Sequence, residues 1–372
     1  MVNKKRLIDS FMRMVETDSV SGQESRMRDL LKEEFSKRGL EMEEDNAGEV
    51  LGGDSGNLLL RIPGTVEGPT LLFAAHMDTV EPGRGIRAVL GDDDIIRSEG
   101  NTILGSDDKA AIASMLEAYD MLKENSEQHP PLEFLFSVGE EQGLQGIKLF
   151  DFGKLKAEYA YVMDAGGAPG TIVVQSPCQN EIEYTVYGRA AHSGINPEEG
   201  LNAIQIAARA LAAMPCGRID AETTCNFGII EGGIARNIVA DYCRIKGESR
   251  SLSRTRLEDI SNQLESLFRN EVKKEGGRAE VEINFLYPEV SLNSEEKVVR
   301  LAVKAAEKIG LRSELIRTGG GSDASIINAH GLPCANMGVG MQAVHTSAEH
   351  ISVQDLVNNA RLILQIIREA SR

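Results

Sequence analysis

Residues 71–78 read LLFAAHMD, a short apolar run that leads into two polar residues, His76 and Asp78. An uninterrupted apolar run of this length predicts a strand that is buried on both faces of a sheet. His76 and Asp78 are two positions apart, so on an extended chain their side chains point to the same side. A carboxylate can fix one nitrogen of an imidazole and leave the other free to bind a metal ion. An isolated His-x-Asp is more typical of a structural hydrogen bond, so the other polar strand ends decide between the two interpretations.

Two later stretches have the same form. Residues 132–138 read LEFLFSV and lead into Glu140 and Glu141, and residues 159–163 read YAYVM and lead into Asp164. Ligands of open α/β sheets bind beyond the carboxyl ends of the strands. We therefore expect three strands to deliver histidine, glutamate and aspartate side chains to one edge of one sheet.

The residues near this edge include more candidate metal ligands. The adjacent acids Glu140 and Glu141 would repel each other without a cation, and successive residues point in different directions. One acid can therefore bind metal while the other faces a reacting water. Asp107 precedes a predicted helix, where an acid is commonly a cap, but its two oxygens could also bridge two cations. His345 lies beyond a further apolar strand and can reach the same edge.

The order of predicted elements indicates two domains. Strands alternate with helices near both ends of the chain, which predicts an α/β sheet with helices on its faces. Residues 179–290 instead follow the order βαββαβ, the pattern of a ferredoxin-like domain, with its two middle strands predicted at 223–230 and 237–248. We therefore expect a catalytic metal-binding domain of residues 1–178 and 291–372, with an inserted lid or dimerisation domain at 179–290.

Composition excludes several classes of partner. The chain has 372 residues and a formal net charge of −17, which argues against nucleic acid as a partner. No apolar stretch approaches the roughly 20 residues of a membrane helix, and residues 1–13 lack the apolar core of a signal peptide. The five cysteines form no CxxC pair, which indicates a reducing compartment. We expect a cytoplasmic protein that binds neither nucleic acid nor membrane.

Seven motifs together resemble the M20 family of metallopeptidases, and in particular its peptidase T-like (tripeptidase) branch. They occur in the family's order over nearly the whole chain: AAHMDTV, LGSDDKA, SVGEEQG, YVMDAGG, GRAAHSG, GGGSDASIINAHG and GVGMQAVHTSAEHI. The resemblance implies a mixed-sheet zinc-peptidase catalytic domain and two divalent metal ions. It implies that His76, Asp107 and Asp164 hold one ion. Asp107, Glu141 and His345 would hold the other, with Asp107 bridging the two.

The resemblance also implies roles in catalysis. Glu140 would act as the general base, Asp78 would orient His76, and His192 of the inserted domain would polarise the scissile carbonyl. The family's usual His-Pro-Gly is His192-Ser193-Gly194 here, which leaves the shape of this loop open. Asn237 and Arg250 of the inserted domain would contact the substrate. Ser322 follows three glycines, and we expect it in a loop that also lies near the substrate.

The resulting hypothesis is a di-metal peptidase that cleaves short peptides as a tripeptidase-like aminopeptidase. Mixed imidazole and carboxylate ligands suit Zn²⁺, and they also accept Mn²⁺ or Co²⁺. An N-acyl amino acid deacylase or carboxypeptidase of the same family is the alternative, and a non-catalytic binding scaffold is a more distant one. The resemblance further predicts a homodimer through residues 179–290, with His192 acting on the neighbouring subunit. The alternative is a monomer in which domain closure brings His192 to the metals of its own chain.

Overall fold

The computed structural model describes residues 1–371, which form two compact units. Unit 1 comprises Met1–Gln175, Ser291–Thr318 and the chain from Ser322 onward, and unit 2 comprises Ser176–Val290 and Gly319–Gly321. This division departs from the predicted domain limits at residues 176–178 and at the three glycines. The roles of the units as a catalytic domain and an inserted lid or dimerisation domain stay predictions.

Ten α-helices occur between residues 1 and 371. They are α1 (Lys4–Val15), α2 (Ser25–Ser36), α3 (Ala47–Leu51), α4 (Ser106–Glu124), α5 (Gln145–Leu149), α6 (Ala203–Ala212), α7 (Arg254–Lys274), α8 (Lys297–Lys308), α9 (Asp323–Ala329) and α10 (Val353–Ala370). Short 3₁₀ turns lie at Phe152–Lys154 and Pro197–Glu199. None of the helices in this described part is long and apolar enough to span a membrane.

The same residues contain seventeen strands. They are β1 (Met42–Glu44), β2 (Leu58–Ile62), β3 (Leu71–His76), β4 (Ala88–Leu90), β5 (Ile95–Ser98), β6 (Leu132–Ser137), β7 (Tyr159–Ala165), β8 (Thr171–Ser176), β9 (Cys178–Tyr187), β10 (Gly217–Arg218), β11 (Thr223–Gly232), β12 (Tyr242–Ser251), β13 (Arg278–Tyr287), β14 (Val290–Ser291), β15 (Glu314–Arg317), β16 (Cys334–Gly338) and β17 (His350–Ser352).

The large sheet of unit 1 is mixed. Its strand order is β1-β2-β6-β3-β7-β16-β8-β14, and β15 also pairs with β8. The four central strands β6, β3, β7 and β16 run parallel, whereas β2 and β8 join them antiparallel. Every residue of β3 and β6 is buried, as their apolar runs predict. The mixed α/β architecture that the sequence predicts is confirmed.

Helices of unit 1 bury their apolar faces in the same core as the central strands. Helix α10 packs on α4, and α1 also packs on α4. The rings of Phe73 and Tyr161 stack across neighbouring strands with centroids 5.5 Å apart. Helix α10 begins at a cap in which the Ser352 side chain accepts a hydrogen bond from the Asp355 amide. A small separate sheet has the order β17-β5-β4.

Unit 2 contains one antiparallel sheet with the order β10-β11-β12-β9-β13. Apart from the two-residue β10, the elements follow the chain order βαββαβ, and the first strand β9 lies between the last two. This is the ferredoxin-like arrangement. The predicted strand at 237–248 was wrong at its start, because β12 begins at Tyr242. Residues before it instead turn back, and Val239 donates its amide to the Ala191 carbonyl at 2.9 Å.

Candidate metal centre

Four neighbouring parallel strands bring candidate ligands to one edge of the large sheet. His76 is the last residue of β3, and Glu141 lies in the loop after β6. Asp164 lies near the end of β7, and His345 lies in the loop after β16. Asp107 joins them from the start of α4, where its backbone is not yet helical. The structure therefore brings all five predicted metal ligands to the carboxyl edge of the strands, where parallel sheets bind ligands.

Asp107 lies between the two histidines. Its Oδ1 is 3.1 Å from His76 Nε2, and its Oδ2 is 3.3 Å from His345 Nε2. The same His345 nitrogen is 2.8 Å from Glu141 Oε1. Each oxygen of one carboxylate thus faces a different imidazole, which is the arrangement that a bridging ligand requires.

The remaining acids complete two overlapping groups. Ligand atoms of His76, Asp107 and Glu141 lie within 4.8 Å of one another, and so do those of Asp107, Asp108 and Asp164. Asp107 is the member common to both groups. Such spacing allows side chains to converge on a cation, and two groups with a shared carboxylate fit a pair of cations.

Asp78 connects His76 to the loop that carries the paired glutamates. Its fully buried Oδ1 accepts a hydrogen bond from the Glu140 amide at 3.0 Å, and its Oδ2 accepts from the Glu141 amide at 3.2 Å and from the Ser21 hydroxyl at 2.6 Å. Nδ1 of His76 is 2.9 Å from the Asp78 carbonyl and 3.5 Å from Oδ1. The carbonyl is the closer partner of the ring, so Asp78 contacts His76 mainly through its backbone, while its side chain binds the amides of the loop.

The acids of this edge strongly perturb one another. Burial and the neighbouring Asp164 charge raise the pKa of Glu140 well above its usual range. Burial and the Asp107 charge do the same to the pKa of Asp164. Hydrogen bonds to Asp107 and Glu141 raise the pKa of His345 to about 10. Burial opposes ionisation of Asp107, but hydrogen bonds from His345 and His76 outweigh it and lower its pKa. A raised pKa favours a proton on the group, and a cation bound at the same atoms would compete with that proton.

The chemistry of the donors fits divalent cations. Both side-chain oxygens of the buried Asp108 lack a hydrogen-bond partner among the described residues. Two imidazoles converge with several carboxylates, which is a ligand set suited to Zn²⁺ and acceptable to Mn²⁺ or Co²⁺. Buried carboxylates at this density are stable only when cations or protons compensate them.

His192 and Asn237, two predicted site residues of unit 2, lie on segments that are hydrogen-bonded to each other. His192 is exposed, and its Nδ1 accepts a hydrogen bond from the Gly194 amide at 3.2 Å. In the neutral ring the proton must therefore lie on Nε2, which can donate a hydrogen bond. The Ser193 amide donates to the Asn237 carbonyl at 3.1 Å. A proline at position 193 has no such donor, so the departure from His-Pro-Gly adds a contact between the His192 and Asn237 segments.

The structure places the other two predicted substrate contacts in different units. Arg250, in unit 2, donates two hydrogen bonds to Glu248 at 2.9 and 3.0 Å and one to the Gly319 carbonyl at 3.1 Å. Ser322, in unit 1, is buried and caps α9, and its hydroxyl oxygen accepts from Asn336 at 2.9 Å. Both side chains are already held within their own unit.

Sequence reasoning missed three buried residues that support this edge. Glu349 accepts hydrogen bonds from the segment that ends at Asp107. Asn336, on β16, accepts from the Asp164 amide at 3.0 Å. Glu24 accepts from the Gly139 amide at 3.1 Å, just before the paired glutamates. The signal for Glu349 was its place in the HTSAEH motif, four residues after His345, whereas the other two lie in sequences typical of a strand and of a helix start.

Comparisons with known proteins identify the family of this chain. The model of peptidase family M20/M25/M40 matches residues 72–369. A solved structure of aminopeptidase PepT from Bacillus cereus ATCC 10987 is 42% identical, with full coverage of both chains and a TM-score of 0.90. A tripeptidase structure from Staphylococcus aureus subsp. aureus Mu50 is 39% identical, again with full coverage of both chains, and has a TM-score of 0.95. Peptidase T from Geobacillus thermodenitrificans is 27% identical over 98% of each chain. The chain therefore belongs to the M20 family of metallopeptidases, which are hydrolases that act on peptide bonds.

Proposed function

We propose that this chain is a tripeptidase-like aminopeptidase that removes the N-terminal residue from short peptides. The observation that carries the proposal is the position of Asp107, whose two oxygens face His76 and His345 separately. Full-length similarity to an aminopeptidase PepT and to a tripeptidase supports the substrate class. We propose that the enzyme acts in the cytoplasm. Its cysteines are free thiols, and all except Cys216 are buried, which suits a reducing compartment.

Five side chains would hold the two cations. We assign His76, Asp107 and Asp164 to one ion and Asp107, Glu141 and His345 to the other, with Zn²⁺ as the resident metal. When bound, the pair would supply Lewis-acid activation of water and of the scissile carbonyl.

Glu140 is the proposed general base. Its carboxylate would accept a proton from the attacking water as the water oxygen forms a bond to the carbonyl carbon. It would then deliver that proton to the amide nitrogen as the carbon–nitrogen bond breaks, which releases a free amine and a carboxylate. Glu140 suits this role because Asp78 fixes its backbone amide and because it is 9% exposed, which limits competing water.

His192 would stabilise the charge that develops on the carbonyl oxygen. Its Nδ1 already accepts a hydrogen bond from the Gly194 amide, so Nε2–H is the available donor of the neutral ring. A hydrogen bond from Nε2–H to this oxygen accelerates the reaction to the extent that it is stronger in the transition state than in the bound substrate. Asn237 and Arg250 would contact the substrate from the same unit, and Ser322 would do so from unit 1.

A panel of peptides tests the proposed reaction. The purified chain is assayed with Zn²⁺, Mn²⁺ or Co²⁺ on a free tripeptide, on its N-acetylated form and on an N-acetyl amino acid. We expect release of the N-terminal residue from the free tripeptide and little turnover of the acetylated one. Preferred cleavage of the N-acetyl amino acid would identify a deacylase, and release of the C-terminal residue would identify a carboxypeptidase. Binding of peptide without cleavage under every metal would leave only the scaffold hypothesis.

We also propose a homodimer through unit 2, in which His192 acts on the neighbouring subunit. Strand β11 pairs with β12 along its length, but on its other side β10 covers only Thr224 and Cys225. Beyond these residues, the exposed fractions of Ile229 and Ile230 are 52% and 51%. An apolar strand edge of this kind can pair with a second copy about a two-fold axis.

Complementation distinguishes action in trans from action in cis. A His192→Ala protein is mixed with a Glu140→Gln protein under conditions that exchange subunits. Action in trans predicts recovered activity, because one mixed site then has an intact histidine and an intact base. A monomer in sedimentation, or a mixture that stays inactive after proven exchange, would contradict the arrangement.

A further inference from the structure

The carboxylate of Glu349 binds four successive residues of a loop that is more than 240 positions away in sequence. Its Oε2 accepts hydrogen bonds from the amides of Leu104 and Gly105, both at 2.9 Å. Its Oε1 accepts from the Ser106 hydroxyl at 2.6 Å and from the Asp107 amide at 3.2 Å. Glu349 is 2% exposed, so water does not compete for these donors. A buried carboxylate with four donors is tightly fixed, because hydrogen bonds to a charge are the strong ones.

The loop that Glu349 binds has unusual backbone dihedral angles. Gly105 has a φ of +71°, in the left-handed region that other residues rarely adopt. Asp107 and Asp108 also depart from helical geometry although they lie within α4. A helix start leaves amides without partners in the helix, and here Glu349 accepts hydrogen bonds from the amides of Leu104, Gly105 and Asp107.

Glu349 is anchored to the loop that carries His345. Its own amide donates to the Thr346 carbonyl at 3.1 Å, and the base of this loop is closed by reciprocal bonds between Gln342 and His350 at 3.0 and 3.1 Å. One side chain thus connects the segment that ends at Asp107 with the segment that presents His345. These are the two residues whose side chains lie 3.3 Å apart in the metal centre.

We propose that Glu349 is a positioning residue that sets Asp107 in its bridging position between the two cations. This inference rests on the proposed function, since it assumes that Asp107 binds metal. Glu349 accepts hydrogen bonds and does not touch the reacting atoms. Each carboxylate oxygen accepts from two donors, so only a side chain whose two terminal atoms are both acceptors fits this loop. A glutamine in its place would turn one oxygen into an NH₂ group that faces one of the two donor pairs.

The chain offers a matched control in Glu133, which is also 2% exposed. Its carboxylate accepts hydrogen bonds from the amides of Lys156 and Ala157 at 3.1–3.2 Å. Glu133 lies at the start of β6, whereas the metal ligand Glu141 follows the end of that strand. Glu133→Gln therefore removes a buried acceptor of backbone amides without touching the loop of Asp107.

The test measures metal affinity as well as activity. Metal-depleted wild type, Glu349→Gln and Glu133→Gln are titrated with Zn²⁺ and with Mn²⁺ in competition with a chromophoric chelator, and the melting temperature of each is recorded. We expect Glu349→Gln to bind metal about 10 to 100 times more weakly, the range found when a partner of a metal ligand is removed. We expect wild-type affinity in Glu133→Gln. Excess metal should recover much of the kcat of Glu349→Gln, which it would not do for general damage to the fold.

A milder variant, Ser106→Ala, allows the test to be made even if Glu349→Gln does not fold. Ser106→Ala removes one of the four donors and should weaken metal binding in the same direction by a smaller factor. Wild-type affinity in a folded Glu349→Gln, or in Ser106→Ala if Glu349→Gln fails to fold, would overturn the inference alone. Equal weakening in Glu133→Gln would also overturn it, because the effect would then follow from lost stability. If wild type and Glu133→Gln bind no divalent metal, the proposed function fails as well.

Discussion

Replacement of Asp78 by asparagine should weaken both the fold and the reaction. The side chain accepts hydrogen bonds from the amides of Glu140 and Glu141 and from the Ser21 hydroxyl. Asparagine retains one oxygen, and the best orientation keeps that oxygen near Glu141 and Ser21. Its NH₂ group then faces the Glu140 amide, so two donors oppose each other in a fully buried place.

The structure sets the size of the expected effect. A lost hydrogen bond to a charged group costs about 1.5–3 kcal/mol, and the remaining bonds weaken because their acceptor becomes neutral. We expect the free energy of unfolding to fall by about 3 kcal/mol. This lowers the melting temperature by about 4 °C, because the entropy of unfolding of a 372-residue chain is about 0.8 kcal/mol/K. Because the Glu140 amide loses its anchor, kcat/KM should fall about 10- to 100-fold.

Thermal unfolding and tripeptide kinetics at saturating metal measure the two effects, and Glu133→Gln again serves as the control. The control should lose comparable stability, since it also gives up a buried carboxylate that accepts backbone amides. It should retain kcat/KM. If Asp78→Asn keeps wild-type kcat/KM, or if the control loses as much activity, then Asp78 does not hold Glu140 in position for catalysis.

Three other perturbations have definite expected results. Glu140→Gln should keep both metals while kcat falls by several orders of magnitude, and a kcat within about tenfold of wild type would exclude the base role. Glu141→Gln should instead weaken metal binding, which calorimetry would measure. Burial raises the pKa of Glu24 from 4.5 to about 7, so the folded metal-depleted chain retains a proton that the unfolded chain loses. The contribution of Glu24 to the free energy of unfolding should therefore fall by about 3 kcal/mol as pH rises from 4.5 to 7, and Glu24→Gln should reduce the slope in denaturant titrations by that amount. Removal of metal by a chelator should abolish hydrolysis and lower the melting temperature, and added metal should restore both; a chelator-treated chain of full activity would contradict a metal mechanism.

Sequence patterns predicted the parts of this site that leave a local signal. The apolar run before His76 and the one before Glu140 each predict a buried strand, and such strands end at a common sheet edge. The resemblance supplied the assignment of Asp107 as a bridge, which residue types alone left open. Both predictions were possible because each depends on a short stretch of sequence and not on contacts between distant residues.

The supporting contacts could not be predicted in this way. Glu349 acts through hydrogen bonds to a loop that is distant in sequence, and such bonds have no periodicity. Asn336 lies within an apolar strand, where a single amide gives no sign that it binds the backbone of Asp164. The start of β12 at Tyr242 was missed because the apolar residues Ile238, Val239 and Ala240 continue the pattern of a strand, although this segment pairs with the His192 segment.

The number of metal ions bound per chain tests the central claim most directly. Metal-depleted wild type and Asp107→Ala are dialysed against Zn²⁺, and the bound metal is counted by atomic emission against protein concentration. We predict two ions per wild-type chain and loss of both in Asp107→Ala, because this carboxylate faces both histidines. Fewer than two ions on wild type, or two ions retained by Asp107→Ala, would contradict a centre that Asp107 bridges.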